Sequence, residues 1–385
     1  MHIAFLIAPG GGPEAVLQTM LPWLEQRGCT ISAVYMSPDG ELKKPFPAHV
    51  RVVTARAGPL HYYLNRVVGH FHAWPLRLRA WEQAWAARQA LRQIDAAHPV
   101  DVVEVVEGLP ISPLRRLWPV VVHAHGSDWT VRQFCRDGDS SQDSWLIRQQ
   151  SSQLRAASGV SAISRHLAWH LSESCRFPLD AIQVIPYPID ASVFAPALSA
   201  PSGPALLTVG RLERRKGVDV LVRALTSRAW HVYPDLKAQF VGRDSDVSHA
   251  YLRGLAPAHR RDQLVFPGFV NRKQLPYYYS QSTLYVAPTL YETFGYTVLE
   301  AMASGLAVIA SRTGAIPELV EDGITGLLVP PGDAEALADA LLTLLADPAR
   351  RAAMGKRGRE RAVYEYRPEG ILESMLKFYQ RALSA

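Results

Sequence analysis

The stretch richest in side chains that could do chemistry is Tyr291-Glu292-Thr293-Phe294-Gly295-Tyr296-Thr297-Val298-Leu299-Glu300-Ala301-Met302-Ala303-Ser304-Gly305. Glu292 precedes a Phe-Gly turn, and Glu300 lies eight residues on, inside an apolar run with helical character. Eight residues is close to two helical turns, so a carboxylate before the helix and one two turns in can face one side. A turn at Gly295 would aim backbone N–H groups at an anion or a hydroxyl-rich ligand. The same residues also read as an acid favourable to the helix dipole followed by an exposed glutamate. A second segment, Gly210-Arg211-Leu212-Glu213-Arg214-Arg215-Lys216-Gly217, joins a predicted strand to a predicted helix. Arginine offers a planar fork and lysine a point charge, and both suit a diphosphate. The alternative there is an exposed basic loop.

Two further clusters lie nearer the N-terminus. Gly10-Gly11-Gly12-Pro13-Glu14 follows the first apolar run, where glycines let a phosphate approach the backbone. Gly10, Gly12 and Ala15 also satisfy G-x-G-x-x-A, and Asp39 follows the second predicted strand, which keeps a dinucleotide-dependent oxidoreductase open. His123-Ala124-His125-Gly126-Ser127-Asp128 sits at a strand's C-terminal end, where ligands of open α/β sheets bind. Two histidines two apart share a strand face, so a metal is conceivable, but no third ligand has suitable spacing. The other readings are a structural role and a contact to a bound sugar.

The elements that must position these residues alternate. Strands are predicted at 3–8, 30–35, 102–106, 120–125, 160–164 and 182–185, with a helix from Glu14 to Gln26 that ends at Gly28. Residues 186–204, rich in Pro, Ala and Ser, form the best boundary. A second alternation follows, with strands at 206–210, 237–242, 264–266, 284–287 and 307–310, and helices at 218–224 and 297–304. Helices dominate from Ala334 onward. Short apolar strands separated by helices predict parallel sheets covered on both faces. The fold class is therefore α/β, two tandem doubly wound Rossmann-like domains facing a cleft. We place a first domain at 1–186, a linker at 187–204 and a second domain at 205–365. A C-terminal helix at 366–385 would cross back to the first domain.

Bulk properties limit the alternatives. At 385 residues and 48% hydrophobic, the chain can build two cores. No run reaches the ~18 apolar residues of a membrane span. The opening Met1–Ala8 lacks a basic region and runs into Pro-Gly-Gly-Gly, which fits a buried strand better than a signal peptide. Three scattered cysteines, Cys29, Cys135 and Cys175, argue against a disulfide framework or zinc site and for a reducing, cytoplasmic setting. The net charge of +6 permits anionic partners without demanding nucleic acid, and no basic run is interleaved with aromatics as single-strand binding requires. One stretch breaks the rhythm: His61 to Arg92 carries Trp74, Trp81 and Trp85 with Arg66, Arg77, Arg79, Arg88 and Arg92 against one acid, Glu82. Trp74, Leu78, Trp81 and Trp85 fall on one helical face. That face either packs on the core, or the segment forms a basic amphipathic surface touching a membrane or an anionic acceptor.

Taken together, the motifs resemble glycosyltransferase family 4, whose members have the GT-B fold. The resemblance runs nearly end to end. It covers the Gly-Gly loop, His125-Gly126-Ser127-Asp128, Val184-Ile185-Pro186 with Ile189-Asp190, and Gly210-Arg211-Leu212 with Lys216-Gly217. It continues through Val241-Gly242, Phe266-Pro267-Gly268-Phe269-Val270, the Glu292-to-Glu300 block, Gly314-Ala315-Ile316-Pro317-Glu318 and Gly326-Leu327-Leu328-Val329. The resemblance implies that Arg211 and Lys216 bind the diphosphate of a nucleoside-diphosphate sugar carrying uracil, guanine or adenine. Glu300 would hold the ribose hydroxyls. Glu292, with the backbone of Phe294, Gly295 and Tyr296, would hold sugar hydroxyls, with Thr297 next to them. His125 would contact the sugar, Gly11 and Gly12 would lie near the phosphates and the acceptor, and the base would stack near Val270. It further implies hexosyl transfer with retention of configuration, no metal and no permanently bound cofactor. A front-face course is implied, in which the leaving phosphate takes the acceptor's proton. The cleft would close to exclude water.

The acceptor is either a lipid-linked or envelope glycan, which the Trp/Arg stretch favours through peripheral contact with the inner face of a membrane, or a soluble sugar or metabolite. Two positions depart from the family pattern: Tyr187-Pro188 stands where Asn-Gly is common, and Tyr296 where a smaller aliphatic residue is usual. A catalytically silent nucleotide-sugar-binding subunit would be expected to lack the charged motif residues, and here they are present. An oxidoreductase would leave the second domain's motifs unexplained.

Overall fold

The computed structural model describes residues 1–7, 12–36, 46–56, 74–126, 141–196 and 203–384, with side chains left out at 12–15, 74–76 and 141–143. Gly10, Gly11, Asp39, Ser127, Asp128, Cys135 and the 61–73 half of the Trp/Arg stretch lie outside the described residues. The chain divides into two compact units, Met1–Pro188 with Pro368–Ala385, and Ile189–Arg367.

The first unit is built on β1 (His2–Ile7), β2 (Thr30–Met36), β3 (Arg51–Ala55), β4 (Val102–Val105), β5 (Val120–Ala124), β6 (Gly159–Ala162) and β7 (Ile182–Val184). They form one sheet in the order β3-β2-β1-β4-β5-β6-β7, and every pairing is parallel. Every residue of β1, β4 and β5 is buried, as expected where helices cover both faces of a sheet. The final helix, Pro368–Ser384, belongs to this unit. It buries Ile371, Leu372, Met375, Phe378, Tyr379 and Ala382, the stripe of an amphipathic helix, and meets β4, β5, β6 and the helix Gly12–Gln26.

The second unit is built on β8 (Ala205–Val209), β9 (Lys237–Val241), β10 (Leu264–Gly268), β11 (Leu284–Ala287), β12 (Val308–Ser311) and β13 (Gly326–Val329). Its parallel sheet runs β10-β9-β8-β11-β12-β13. The core gathers Leu206, Leu221, Phe240, Val286, Ile309 and Leu341 from strands and covering helices. Each sheet reverses its winding once, between β1 and β4 and between β8 and β11. Open α/β sheets bind ligands outside the carboxyl ends of the strands at such a switch point.

The helix Trp74–Asp95 packs on β3 and β2. It does so through Ala84, Ala87, Ala90, Leu91 and Ile94, not through Trp81 or Trp85. Trp81 is 54% and Trp85 41% exposed, and their rings stack at 5.8 Å with Arg88 lying over Trp85 at 4.7 Å. Small alanines let this helix approach the sheet closely, and Trp81 and Trp85 lie on its outer side.

Candidate active site

In the second unit the two charged segments are the loops leaving the strands at the switch point. β8 ends at Val209 and delivers Gly210 and Arg211, while β11 ends at Ala287 and delivers the 288–295 loop with Glu292. The loops are stitched together by backbone bonds: Leu290 N–H donates to the Arg215 carbonyl at 2.7 Å, and the Thr289 hydroxyl donates to the same oxygen at 2.9 Å. The Lys216 ammonium donates to Glu292 Oε2 at 2.5 Å. Arg215, 16% exposed, donates to the Tyr291 carbonyl at 3.0 Å and to Glu213 at 2.5 Å, and lies 3.7 Å from Glu292 Oε2. Burial works to raise the Glu292 pKa. The charges of Lys216 and Arg215, with hydrogen bonds from Lys216 and the Thr293 N–H, outweigh it and hold the carboxyl below its usual range. Arg211 is 62% exposed and touches Glu213 at 3.2 Å, so its guanidinium reaches solvent beside this cluster.

The backbone around Glu292 is fixed from a third segment. Ala315 N–H donates to the Glu292 carbonyl at 2.9 Å. Gly314 sits at φ 54°, and a Cβ there would stand 2.0 Å from that carbonyl oxygen. Only glycine fits, which gives Gly314-Ala315-Ile316-Pro317-Glu318 a physical role. Gly295, at φ 96°, then caps the helix Tyr296–Ala303 and aims its first N–H groups out of the N-terminus. Phe294 is buried, with its ring 6.2 Å from that of Tyr366. The Thr297 Oγ1 accepts from the Tyr285 hydroxyl at 2.7 Å.

The helix starts only at Tyr296, so the helical period does not link Glu292 to Glu300. Nor is Glu300 exposed: its side chain is 2% accessible. Its Oε2 accepts from the buried Tyr279 hydroxyl at 2.8 Å, and its Oε1 lies 3.3 Å from Arg272 Nη1. Burial pushes this carboxyl up to about 7, with Arg272 and then Tyr279 pulling it down. Val270 is half-buried just after β10.

In the first unit, Gly12 opens the helix Gly12–Gln26 beyond β1. His125 follows β5, and its N–H donates to Glu107 Oε2, beyond β4, at 2.9 Å. The His125 Nδ1 hydrogen-bonds the Tyr187 hydroxyl, and the two rings stack at 5.5 Å. An apolar cavity lined by Ile7, Leu17, Met20, Ile371 and Met375 adjoins both side chains. Burial, then the neighbouring His123, hold the His125 pKa well below its ordinary value, so the ring is neutral at pH 7. His123 lies edge-on to His125 at 4.6 Å and bonds the Ser161 hydroxyl at 2.6 Å, and burial takes its pKa down to about 4. Among the described residues no group of three or more His, Cys, Asp or Glu is placed to hold a metal. The sequence reading did not single out Arg215, Arg272, Tyr279 or Glu107. Each acts through a partner distant in the chain, which no local motif signals.

Two Rossmann-like units, the second with charged loops at its switch point, have the architecture of nucleotide-binding α/β enzymes. The comparisons make that class specific. The model described as Glycosyltransferase Family 4 matches residues 10–193, and that described as Glycosyl transferases group 1 matches residues 194–361. The chain is 32% identical over 293 residues to an alpha-maltose-1-phosphate synthase of Mycolicibacterium smegmatis, covering 68% of this chain and 73% of that one. It is 28% identical to a GDP-mannose-dependent alpha-(1-6)-phosphatidylinositol monomannoside mannosyltransferase of the same organism, covering 79% and 82%. Among solved structures, a sucrose-phosphate synthase from Thermosynechococcus elongatus superposes with a TM-score of 0.81 at 26% identity, covering 100% and 99%. The chain belongs to glycosyltransferase family 4. It is an enzyme of GT-B fold that uses nucleotide sugars.

Proposed function

We propose that the protein transfers a hexose from a nucleoside-diphosphate sugar to a carbohydrate or lipid-linked acceptor, with retention at the anomeric carbon. The observation that carries this reading is the Lys216–Glu292 contact at the carboxyl end of β8 and β11. It puts a cation for the diphosphate beside an anion for the sugar. Lys216 spends one of its three N–H donors on Glu292 and keeps two for phosphate oxygens. Arg211, exposed beside it, supplies a second charge.

As the bond from the anomeric carbon to the phosphate oxygen breaks, negative charge grows on the diphosphate. Lys216 and Arg211 are already in place to stabilise it. Positive charge grows on the sugar ring, next to a Glu292 held ionised. Glu292 binds hydroxyls in this scheme and forms no bond to carbon. The acceptor oxygen bonds the anomeric carbon on the face the phosphate leaves, and its proton passes to the departing phosphate oxygen. Glu300 is assigned the ribose hydroxyls, Val270 the base, and His125 a hydroxyl of the transferred sugar. The N–H groups at Gly295 and Tyr296, with Gly11 and Gly12, are assigned the sugar and phosphates. The exposed Trp81–Trp85 pair with its arginines favours a lipid-linked acceptor reached at an anionic membrane surface.

A charged hydrogen bond to phosphate contributes about 1.5–3 kcal/mol, so Lys216→Ala should weaken nucleoside-diphosphate binding by about ten- to a hundred-fold. Glu300→Ala should weaken it as well, with circular dichroism unchanged in both. Wild-type affinity in both variants would sink the site assignment.

A further inference from the structure

The Glu300 carboxylate is not alone in its pocket. The Arg272 Nη1 stands 3.3 Å from Glu300 Oε1, and its Nη2 donates to the Tyr296 hydroxyl at 2.9 Å. The guanidinium carbon lies 5.0 Å from the centre of the Tyr296 ring and 5.6 Å from that of Phe194. Arg272 is thus gripped by two aromatic faces and one hydroxyl while its charge meets a carboxylate that is 2% exposed. Tyr296 stands where the resemblance to the family implies a smaller aliphatic residue. A smaller aliphatic side chain could neither accept the Nη2 hydrogen bond nor offer a ring to the cation.

From this geometry, and resting on the assignment of Glu300 to the ribose, we infer that Arg272 is a positioning residue. Held by Tyr296, it fixes the carboxylate that receives the nucleotide's ribose and favours its ionised form. An ionised carboxylate offers about four acceptor sites. Tyr279 takes one on Oε2 and Arg272 one on Oε1, which leaves a site on each oxygen for two adjacent hydroxyls. The titratable groups facing Glu300 are Arg272 from the segment after β10, Tyr279 from the helix Leu275–Ser280, and Tyr285 from β11. Arg272 is the one cation among them. Burial opposes ionisation of Glu300, so this cation keeps the acceptor form available at neutral pH.

The test measures UDP, GDP and ADP binding by calorimetry for wild type, Arg272→Ala, Arg272→Lys, Tyr296→Phe and Glu300→Ala, between about pH 6 and pH 9. Affinity of the wild type for its preferred nucleotide should fall as pH drops through about 7. Arg272→Ala should move that acid limb to higher pH, binding about ten-fold more weakly near neutrality and returning to within about two-fold at the alkaline end. Arg272→Lys, which keeps the charge, should lie closer to wild type. Tyr296→Phe should shift the limb the same way by less, which keeps the inference testable if Arg272→Ala does not fold. The 2′,3′-dideoxy form of the same nucleotide should bind all five proteins alike. An unmoved acid limb in Arg272→Ala, or a defect of equal size at every pH, would overturn the positioning role. If Glu300→Ala instead binds normally, the ribose assignment itself fails, whatever Arg272 does.

Discussion

Glu292 meets two cations, and His125 meets a phenol. The first contact joins two charged segments, and the second ties a motif histidine to a tyrosine. Lys216 and Glu292 were each legible as members of charged segments, whereas their contact needs the fold. Arg215 was not, since its role emerges only when the Tyr291 carbonyl arrives from 76 positions away. Tyr187 stood out in the sequence only as a departure from the family pattern, and its contact with His125 Nδ1 supplies a reason for it. That hydrogen bond, with the stacking of the two rings, holds the imidazole in one orientation. Tyr187→Phe should therefore lower kcat/KM for the sugar nucleotide about ten-fold, the worth of a neutral hydrogen bond. Binding of the bare nucleoside diphosphate should not change, because His125 is assigned to the sugar alone. Steady-state kinetics with the diphosphate as inhibitor would separate the two. Loss of diphosphate affinity in this variant would count against the assignment.

At the scale of elements, the central strands were readable because a strand covered on both faces must be apolar throughout. Edge strands escape that logic. Arg51–Ala55 has only Ala55 buried, and its Arg-Val-Val-Thr-Ala offers no signal that stands out. Gly326–Val329 was recognised as a motif but not as a strand, and its two middle residues are only half-buried at the sheet's edge. The Trp74–Asp95 helix left its inner face open in the sequence, and the structure puts alanines on the inner side and Trp81 and Trp85 on the outer. The closing helix is held by a polar contact within an apolar setting: the Tyr379 hydroxyl donates to Glu104 Oε2 at 2.6 Å across 275 residues. Burial pushes the Glu104 carboxyl up to about 7, against the hydrogen bond from Tyr379. A carboxyl whose folded pKa is raised binds its proton more tightly in the folded state. Its contribution is complete below the unfolded value of 4.5 and is lost as pH rises to about 7. Glu104→Gln removes that dependence, so its stability relative to wild type should rise between pH 5 and pH 8, by on the order of 3 kcal/mol at most. Denaturant melts at the two pH values would show it, and an equal difference at both would contradict it.

For the molecule as a whole, the same strand order appears in both units, three strands wound one way from the first and the rest the other. That repetition follows from two alternations of short apolar strands and helices, and it brings the charged loops to the switch points. The division falls at Pro188 and Arg367; Tyr187 stacks on His125 in the first unit, while Ile189 N–H donates to the Tyr366 carbonyl and Phe194 meets Tyr279 in the second. The outward Trp81 and Trp85, with exposed Arg77, Arg79 and Arg92, make a surface expectation testable on the whole protein. Replacing Arg77 and Arg79 together by Glu should abolish cosedimentation with anionic vesicles while leaving turnover of a soluble acceptor analogue unchanged. No vesicle binding by the wild type would remove the membrane reading.

The central claim is that the molecule binds a nucleotide sugar through Lys216 and Glu300. Its most direct test is a thermal-shift comparison of UDP, GDP, ADP and NAD, then their sugar conjugates, on wild type and Lys216→Ala. A ligand at about a hundred times its dissociation constant stabilises the fold by roughly 2.7 kcal/mol. One nucleoside diphosphate should produce such a shift, NAD should produce little, and Lys216→Ala should lose it. A shift with NAD alone, or an equal nucleoside-diphosphate shift in both proteins, would contradict it.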